Sequence, residues 1–267
     1  MGRVIFIGAG PGAADLITVR GAQRLAQADV VLFDALTDPA LRVYAPKARW
    51  IDVGKRGFAD ARRVGAPAYD STKQDAINAL IVEQALDADV VVRLKGGDPS
   101  IFGRLEEELD AVRAAGIACE VVPGVTAALA AAADMQRPLT RRGSGRSVAF
   151  ATAMSREGAI VPTHSADTEV FYMGGKQLAA LGRRLRAAGW PAETPVGVVS
   201  RAGWPDQLHS DHTIGTLAQA TVLHAGRPTV ITVGAGAATL DAPPAGTSSD
   251  VAAATAVQPA ASPASKP

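Results

Sequence analysis

The run Arg93-Leu94-Lys95-Gly96-Gly97-Asp98-Pro99-Ser100-Ile101-Phe102-Gly103-Arg104 is where this sequence concentrates its chemistry. It follows the apolar stretch Asp89-Val90-Val91-Val92, which reads as a buried parallel strand, and it precedes a segment of helical periodicity. It therefore sits at the carboxyl end of a strand, where open α/β sheets bind their ligands. Gly96 and Gly97 let a ligand approach the backbone, Asp98 accepts hydrogen bonds from hydroxyl or amino groups, and Pro99 ends the strand. These types suit a small molecule. No Gly-Lys-Ser/Thr follows, and a carboxylate repels phosphate, so the run is not a P-loop.

Two further features stand at strand ends. Asp34 and Lys55 close adjacent apolar strands, so both can face one cleft. The loop Gly8-Ala9-Gly10-Pro11-Gly12-Ala13 fits a dinucleotide-binding turn after a first strand, with Asp34 about where a ribose-binding carboxylate would stand. A nicotinamide dehydrogenase is thus a rival reading. Pro11 weighs against it, because it lacks the N–H that a pyrophosphate would use. Arg141, Arg142 and Arg146 cluster in one loop, and guanidinium grips carboxylates in a bidentate fork. His209 and His212 have helical metal-pair spacing, but Ser210, Asp211 and Pro205 read as loop and no third ligand is evident. His164 and His224 carry no motif.

The elements that position these residues alternate between short β-branched runs and longer amphipathic ones. Strands are expected at 4–8, 29–34, 50–54, 89–94 and 118–122, with helices at about 15–28, 72–87 and 103–115. A second set follows Pro123-Gly124: a helix at 126–135, strands near 147–152, 169–173, 195–200 and 229–234, and a helix at 176–188. The alternation argues for βαβ units, parallel sheets and two α/β domains. Their expected bounds are 1–117 and 118–236, with 237–267 an Ala/Pro/Ser-rich tail too poor in large apolar side chains to order.

The 267 residues are 48% hydrophobic, enough for a substantial core. The formal net charge of +1 gives no general field toward nucleic acid or membrane, and no apolar stretch reaches the roughly 18 residues that span a bilayer. The lone Cys119 excludes an internal disulfide and reads as a small buried hydrophobe in a cytoplasmic protein.

The Arg93–Arg104 run resembles the signature of uroporphyrinogen-III C-methyltransferases, in the tetrapyrrole methylase superfamily. Gly8 to Gly12, Asp52-Val53-Gly54-Lys55-Arg56, Val121 to Ala127, Pro138-Leu139-Thr140 and Val170 to Gly174 resemble further motifs of that family, in its order. The resemblance runs from about Val4 to Gly234. It implies two α/β domains with the ligands in the cleft between them, a homodimer, S-adenosylmethionine as cofactor, and methylation of uroporphyrinogen III at C2 and C7 to precorrin-2. Asp34 and Lys55 match the family's proton acceptor and donor. Pro11, Gly96, Gly97, Asp98, Ile101, Thr126, Ala127, Met173 and Ala202 match its cofactor site, and Arg104, Glu107 and Arg142 its substrate contacts. Another corrinoid precursor as substrate, or a non-catalytic tetrapyrrole-binding paralogue, are the alternatives. The chain departs from the family in the long segment 57–70, in Leu105-Glu106, in Arg141 and in Ala153-Met154, all near the presumed substrate side.

Overall fold

A computed structural model describes residues 2–54, 74–153 and 164–240 of the chain. In the first half, β1 (Arg3–Gly8), β2 (Val30–Phe33), β3 (Arg49–Asp52), β4 (Val90–Lys95) and β5 (Ala118–Val122) form one sheet in the order β3-β2-β4-β1-β5. Every pairing in it is parallel. The central strands are apolar on both faces, as a sheet covered on two sides requires. Alternate residues of β1 show this: Val4 and Phe6 enter a core with Ile77, Leu80 and Ile81 of α2 (Gln74–Asp87). Ile5 and Ile7 enter the opposite core, with Leu25 of α1 (Val19–Leu25). Thr18 starts α1 by accepting the Gly21 N–H on its hydroxyl, and a separate 3-10 turn at Ala14–Leu16 precedes it, so the helix expected from residue 15 begins a turn later.

β5 corrects the expected domain boundary at residue 118. It pairs with β1 from Arg3↔Ala118 to Ile7↔Val122, so the first sheet ends at Val122 and the chain crosses over at Pro123-Gly124. The second half contributes α4 (Ala127–Asp134), β6 (Val148–Thr152), β7 (Thr168–Tyr172), α5 (Leu178–Ala187), β8 (Pro195–Ser200), β9 (Leu208–Thr213), α6 (Ala220–His224) and β10 (Thr229–Gly234). Its sheet runs β6-β7-β10-β8-β9, and here the expectation of parallel sheets fails. Only β6 and β7 are parallel, while β7–β10, β10–β8 and β8–β9 are antiparallel. One face packs on Leu178, Leu181 and Leu185 of α5, and the other on the alanines of α4, whose small side chains allow close approach.

Two more expectations change. Cys119 is only partly buried, at the edge of the first core. Residues 237–240, expected in the disordered tail, are tied to the second domain: Ala237 is buried, Arg137 donates to its carbonyl at 2.9 Å, and Arg141 donates to the carbonyls of Ala238 and Thr239. Residues 241–267 lie outside the described residues, as do segment 57–70 and Met154.

The histidines read as loop, His209 and His212, lie on β9; His209 meets Asp211, while His212 enters a hydrogen-bonded chain with α6. Arg227 Nε donates to Ser200 Oγ at 3.1 Å, Ser200 Oγ meets His224 Nδ1 at 2.9 Å, and His224 Nε2 meets Ser210 Oγ at 2.8 Å. Ser210 Oγ then meets His212 Nε2 at 2.8 Å. Guanidinium only donates, so the assignment that uses every hydrogen runs outward from Arg227 and leaves His224 neutral. Burial, then the neighbouring His212, Arg227 and His209, push His224 down to about 4 from its ordinary 6.5. Its contribution to stability is therefore complete above pH 6.5 and lost as the pH falls toward 4. The urea midpoint should drop across that window, and less so in His224→Gln; equal acid sensitivity in both proteins would show that His224 is not the group responsible.

Candidate active site

Three backbone segments cross at the carboxyl ends of β1 and β4. Gly10 and Gly97 exchange both of their amide hydrogen bonds, at 3.3 and 2.7 Å, and both take left-handed backbone, with φ of +80° and +71°. Beside them a Cβ on Gly124 would lie 2.3 Å from the Gly97 carbonyl oxygen. The glycines of the first loop are thus spent largely on letting the chain pack against itself. Gly97 differs: an added Cβ would meet nothing nearer than 3.9 Å, so there is room in front of it, whereas one on Gly96 would press on Leu36 Cβ at 3.3 Å.

Asp98 fixes this floor. One carboxylate oxygen accepts the Ser100 N–H at 2.8 Å and the other the Gly124 N–H at 2.9 Å. It thereby ties the turn after β4 to the link between the sheets, and each oxygen keeps a lone pair for a ligand. Across the seam, Thr126 stands at the N-cap of α4 but turns its hydroxyl to Tyr172, 2.7 Å from the phenol oxygen. That phenol also accepts a backbone hydrogen bond from Ala128. Burial raises the Tyr172 pKa, against the two hydrogen bonds, so the phenol stays neutral at ordinary pH. Its ring packs against Phe102 and Phe150, with centroids 5.2 and 5.9 Å apart.

Backbone strain gathers here. Among the described residues five non-glycines have positive φ, and four of them, Phe102, Arg104, Met173 and Arg201, belong to this seam. Left-handed backbone costs such side chains about 1–2 kcal/mol each and persists where surrounding structure enforces it. Met173 is 40% exposed, while Ala202 is buried and Ala127 partly so against the α4 core. Ile101 follows the Asp98 turn, donating its N–H to the Asp98 carbonyl. Pro11 meets the second domain through its carbonyl, which accepts Trp204 Nε1–H at 3.2 Å.

The residues matched to catalysis and substrate are placed less uniformly. Asp34 stands at the end of β2, partly exposed, with its carboxylate 2.6 Å from the Arg93 guanidinium. Lys55 lies outside the described residues. Arg104 and Glu107 grip each other, at 2.7 and 2.5 Å, beside a cavity of about 500 Å³ that Phe102, Glu106 and Arg113 also line. Arg142 is exposed in a separate turn closed by the Arg141–Gly145 bridge. Arg141 is occupied by the chain's own carbonyls, so of the loop's arginines Arg142 and Arg146 are the exposed ones.

Sequence reading passed over a buried ionic cluster beneath the floor. Arg93 and Lys95, alternate on β4 with Leu94 between them, are only 2% and 3% exposed, and Glu108 of α3 (Leu105–Ala114) is fully buried. Glu108 accepts from Arg93 Nε at 3.0 Å, Lys95 Nζ at 2.6 Å and Gln74 Nε2 at 3.2 Å. Asp34 completes the set, giving two cations and two carboxylates. Burial works to lower the Arg93 pKa, but Asp34 and Glu108 together raise it, whereas for Lys95 burial and then the Arg93 charge prevail and lower it. The first two bases of the signature therefore hold the site from below. The one available signal was their position in an otherwise apolar strand, which requires a carboxylate elsewhere.

The family model described as Tetrapyrrole (Corrin/Porphyrin) Methylases matches residues 3–218. The chain is 42% identical over 243 residues to siroheme synthase of Baumannia cicadellinicola, a match covering 88% of this chain and 50% of that protein. It is 38% identical over 242 residues to uroporphyrinogen-III C-methyltransferase of Bacillus subtilis (87% and 48% of the two chains), and 40% identical over 227 residues to that of Paracoccus denitrificans (82% and 76%). The chain thus spans about half the length of the first two relatives. A crystal structure of uroporphyrin-III C-methyl transferase from Thermus thermophilus, complexed with S-adenyl homocysteine, superposes with a TM-score of 0.74 at 31% identity, covering 87% of this chain and 97% of that one.

Proposed function

We infer the activity from a fixed premise: this chain belongs to the tetrapyrrole (corrin/porphyrin) methylase family. It transfers methyl groups from S-adenosylmethionine to C2 and C7 of uroporphyrinogen III, giving precorrin-2, and works as a cytoplasmic homodimer. The observation that carries the reading is the seam itself, where room before Gly97, the spare lone pairs of Asp98, Thr126 and the half-exposed Met173 come together. These types fit an adenosyl and amino-acid ligand: small residues admit the flat purine, a carboxylate takes hydroxyl or ammonium hydrogens, and a thioether gives a soft wall.

S-adenosylmethionine supplies a methyl group already activated on a sulfonium. The chain's own residues have to bind, orient and exclude water, which are the larger sources of rate for such a transfer. Asp98, Gly96 and Gly97 form the cofactor floor, with Pro11, Ile101, Thr126, Ala127, Met173 and Ala202 around it. A pyrrole carbon that gains a methyl leaves a ring that must lose a proton; Asp34, paired with Arg93 at the end of β2, takes it in this reading, with Lys55 as the paired donor. Arg142, and Arg104 once released from Glu107, offer guanidinium to the substrate's carboxylates.

Incubation with isotopically labelled S-adenosylmethionine and uroporphyrinogen III, followed by mass analysis, should give a product carrying two labelled methyl groups. Saturable binding of S-adenosylhomocysteine with uroporphyrinogen III left unmethylated would reject the substrate. Binding of NAD in place of the homocysteine analogue would reject the cofactor as well.

A further inference from the structure

We propose that Trp204 is a positioning residue for the cofactor: a latch by which the second domain holds the Pro11 loop, and through it Gly97, in the shape that binds S-adenosylmethionine. The inference rests on the cofactor reading above. Pro11 has no N–H, so its carbonyl is its one backbone polar group, and Trp204 Nε1–H is donated to it at 3.2 Å. Two residues on, Ala13 N–H is donated to the Gly203 carbonyl at 2.8 Å. Between these bonds the chains touch: a Cβ on Gly12 would lie 2.5 Å from the Gly203 carbonyl and 2.8 Å from the indole.

The latch is fixed from behind. The Arg201 guanidinium lies 4.3 Å from the indole centroid and is itself held by Asp206 at 2.8 Å, while Asp206 also binds Arg227. Gly203 takes left-handed backbone at φ +74° and donates its N–H to Asp134 at the end of α4, at 3.1 Å. On the other side the held loop passes straight into Gly10, whose two bonds to Gly97 set the ligand floor. Displacing the indole therefore loosens Pro11, then Gly10 and Gly97, with no change to any side chain of the floor.

Trp204→Phe keeps an aromatic face for Arg201 and removes the N–H donor together with the fused five-membered ring. The Kd for S-adenosylhomocysteine and the KM for S-adenosylmethionine should rise roughly 2- to 10-fold, the range for one net hydrogen bond. The kcat at saturating cofactor and the KM for uroporphyrinogen should stay put, and the melting temperature should move by no more than about two degrees. Gly12→Ala wedges the same contact from the opposite side, against the Gly203 backbone, and should weaken cofactor binding further, at the cost of several degrees in melting temperature and with kcat at saturating cofactor still unchanged. Wild-type protein that fails to bind S-adenosylhomocysteine overturns the cofactor reading itself. Wild-type binding with unaltered affinity in Trp204→Phe overturns the latch alone, as does a melting temperature lowered by many degrees together with a lowered kcat, since that marks a general structural role.

Discussion

Glu108→Ala should destabilise the protein by about 3–5 kcal/mol, the cost of removing one partner from a buried ionic set. The carboxylate it deletes is fully buried and, among the described residues, is the only side-chain acceptor of Lys95 Nζ. It is also one of two carboxylates on Arg93. With alanine there, Lys95 must lose its proton or draw in water, and Arg93 keeps one carboxylate, Asp34, besides the carbonyls of Leu32 and Leu94. For a chain of this length the melting temperature should fall by on the order of 10 °C. Asp34 should suffer too, because Arg93 is oriented by Glu108 on one side and in turn orients Asp34 on the other. Glu108→Gln keeps the shape and one acceptor oxygen, so it should cost less in stability while still unbalancing the charges. Thermal and urea melts of the two variants check this. A Glu108→Ala protein within about 1 kcal/mol of wild type would mean that water replaces the carboxylate readily, and that the cluster is wetter than its burial implies.

That cluster also marks where sequence stops being informative. The Arg93–Arg104 run reveals its strand, its turn and its glycines, because each is a local property: β-branched periodicity, a proline, missing side chains. Whether Arg93 and Lys95 point at a ligand or into the protein depends on Glu108, placed by the packing of α3 on β4. The same distinction separates the two sheets. The first is parallel and follows from β–α alternation, whereas the antiparallel order of the second depends on pairings between strands far apart in the chain, and β9, with His209, Ser210, Asp211 and His212 in succession, has no apolar run to announce it. The family motifs point to Asp98, Thr126 and Met173, and they leave Tyr172 unassigned although it sits between matched residues and bonds to one of them. Trp204 carries no motif at all; its role appears only when the Pro11 carbonyl is found in front of it.

Gly124→Ala should be the most damaging single-methyl change at the site. The added Cβ would lie 2.3 Å from the Gly97 carbonyl oxygen, 2.7 Å from Gly8 Cα and 3.0 Å from the Gly8 carbonyl carbon. All three are backbone atoms of β1 and of the turn after β4, so no side chain can swing aside, and relief requires prising the two apart. Gly124 is not among the residues with positive φ, so its backbone conformation is open to any amino acid and the whole penalty is steric. Overpacking of this kind typically costs 1–3 kcal/mol, and a clash confined to backbone belongs at about 3. Separation would also stretch the Gly10–Gly97 pairing and the bond from Gly124 N–H to Asp98, which define the floor in front of which the cofactor would lie. S-adenosylhomocysteine affinity should therefore fall by more than the roughly tenfold that one lost hydrogen bond explains. Gly143→Ala is the matched control: its φ of +88° strains any side chain, but nothing lies within 4 Å of the new Cβ. It should cost only about 1 kcal/mol, the ordinary penalty for left-handed backbone, and leave ligand affinity unchanged. Melting curves and calorimetric titration of both variants decide between space and conformation as the reason for glycine at 124. Equal behaviour of the two would mean that the three segments have slack where they cross, and that the rigidity of the floor comes from elsewhere.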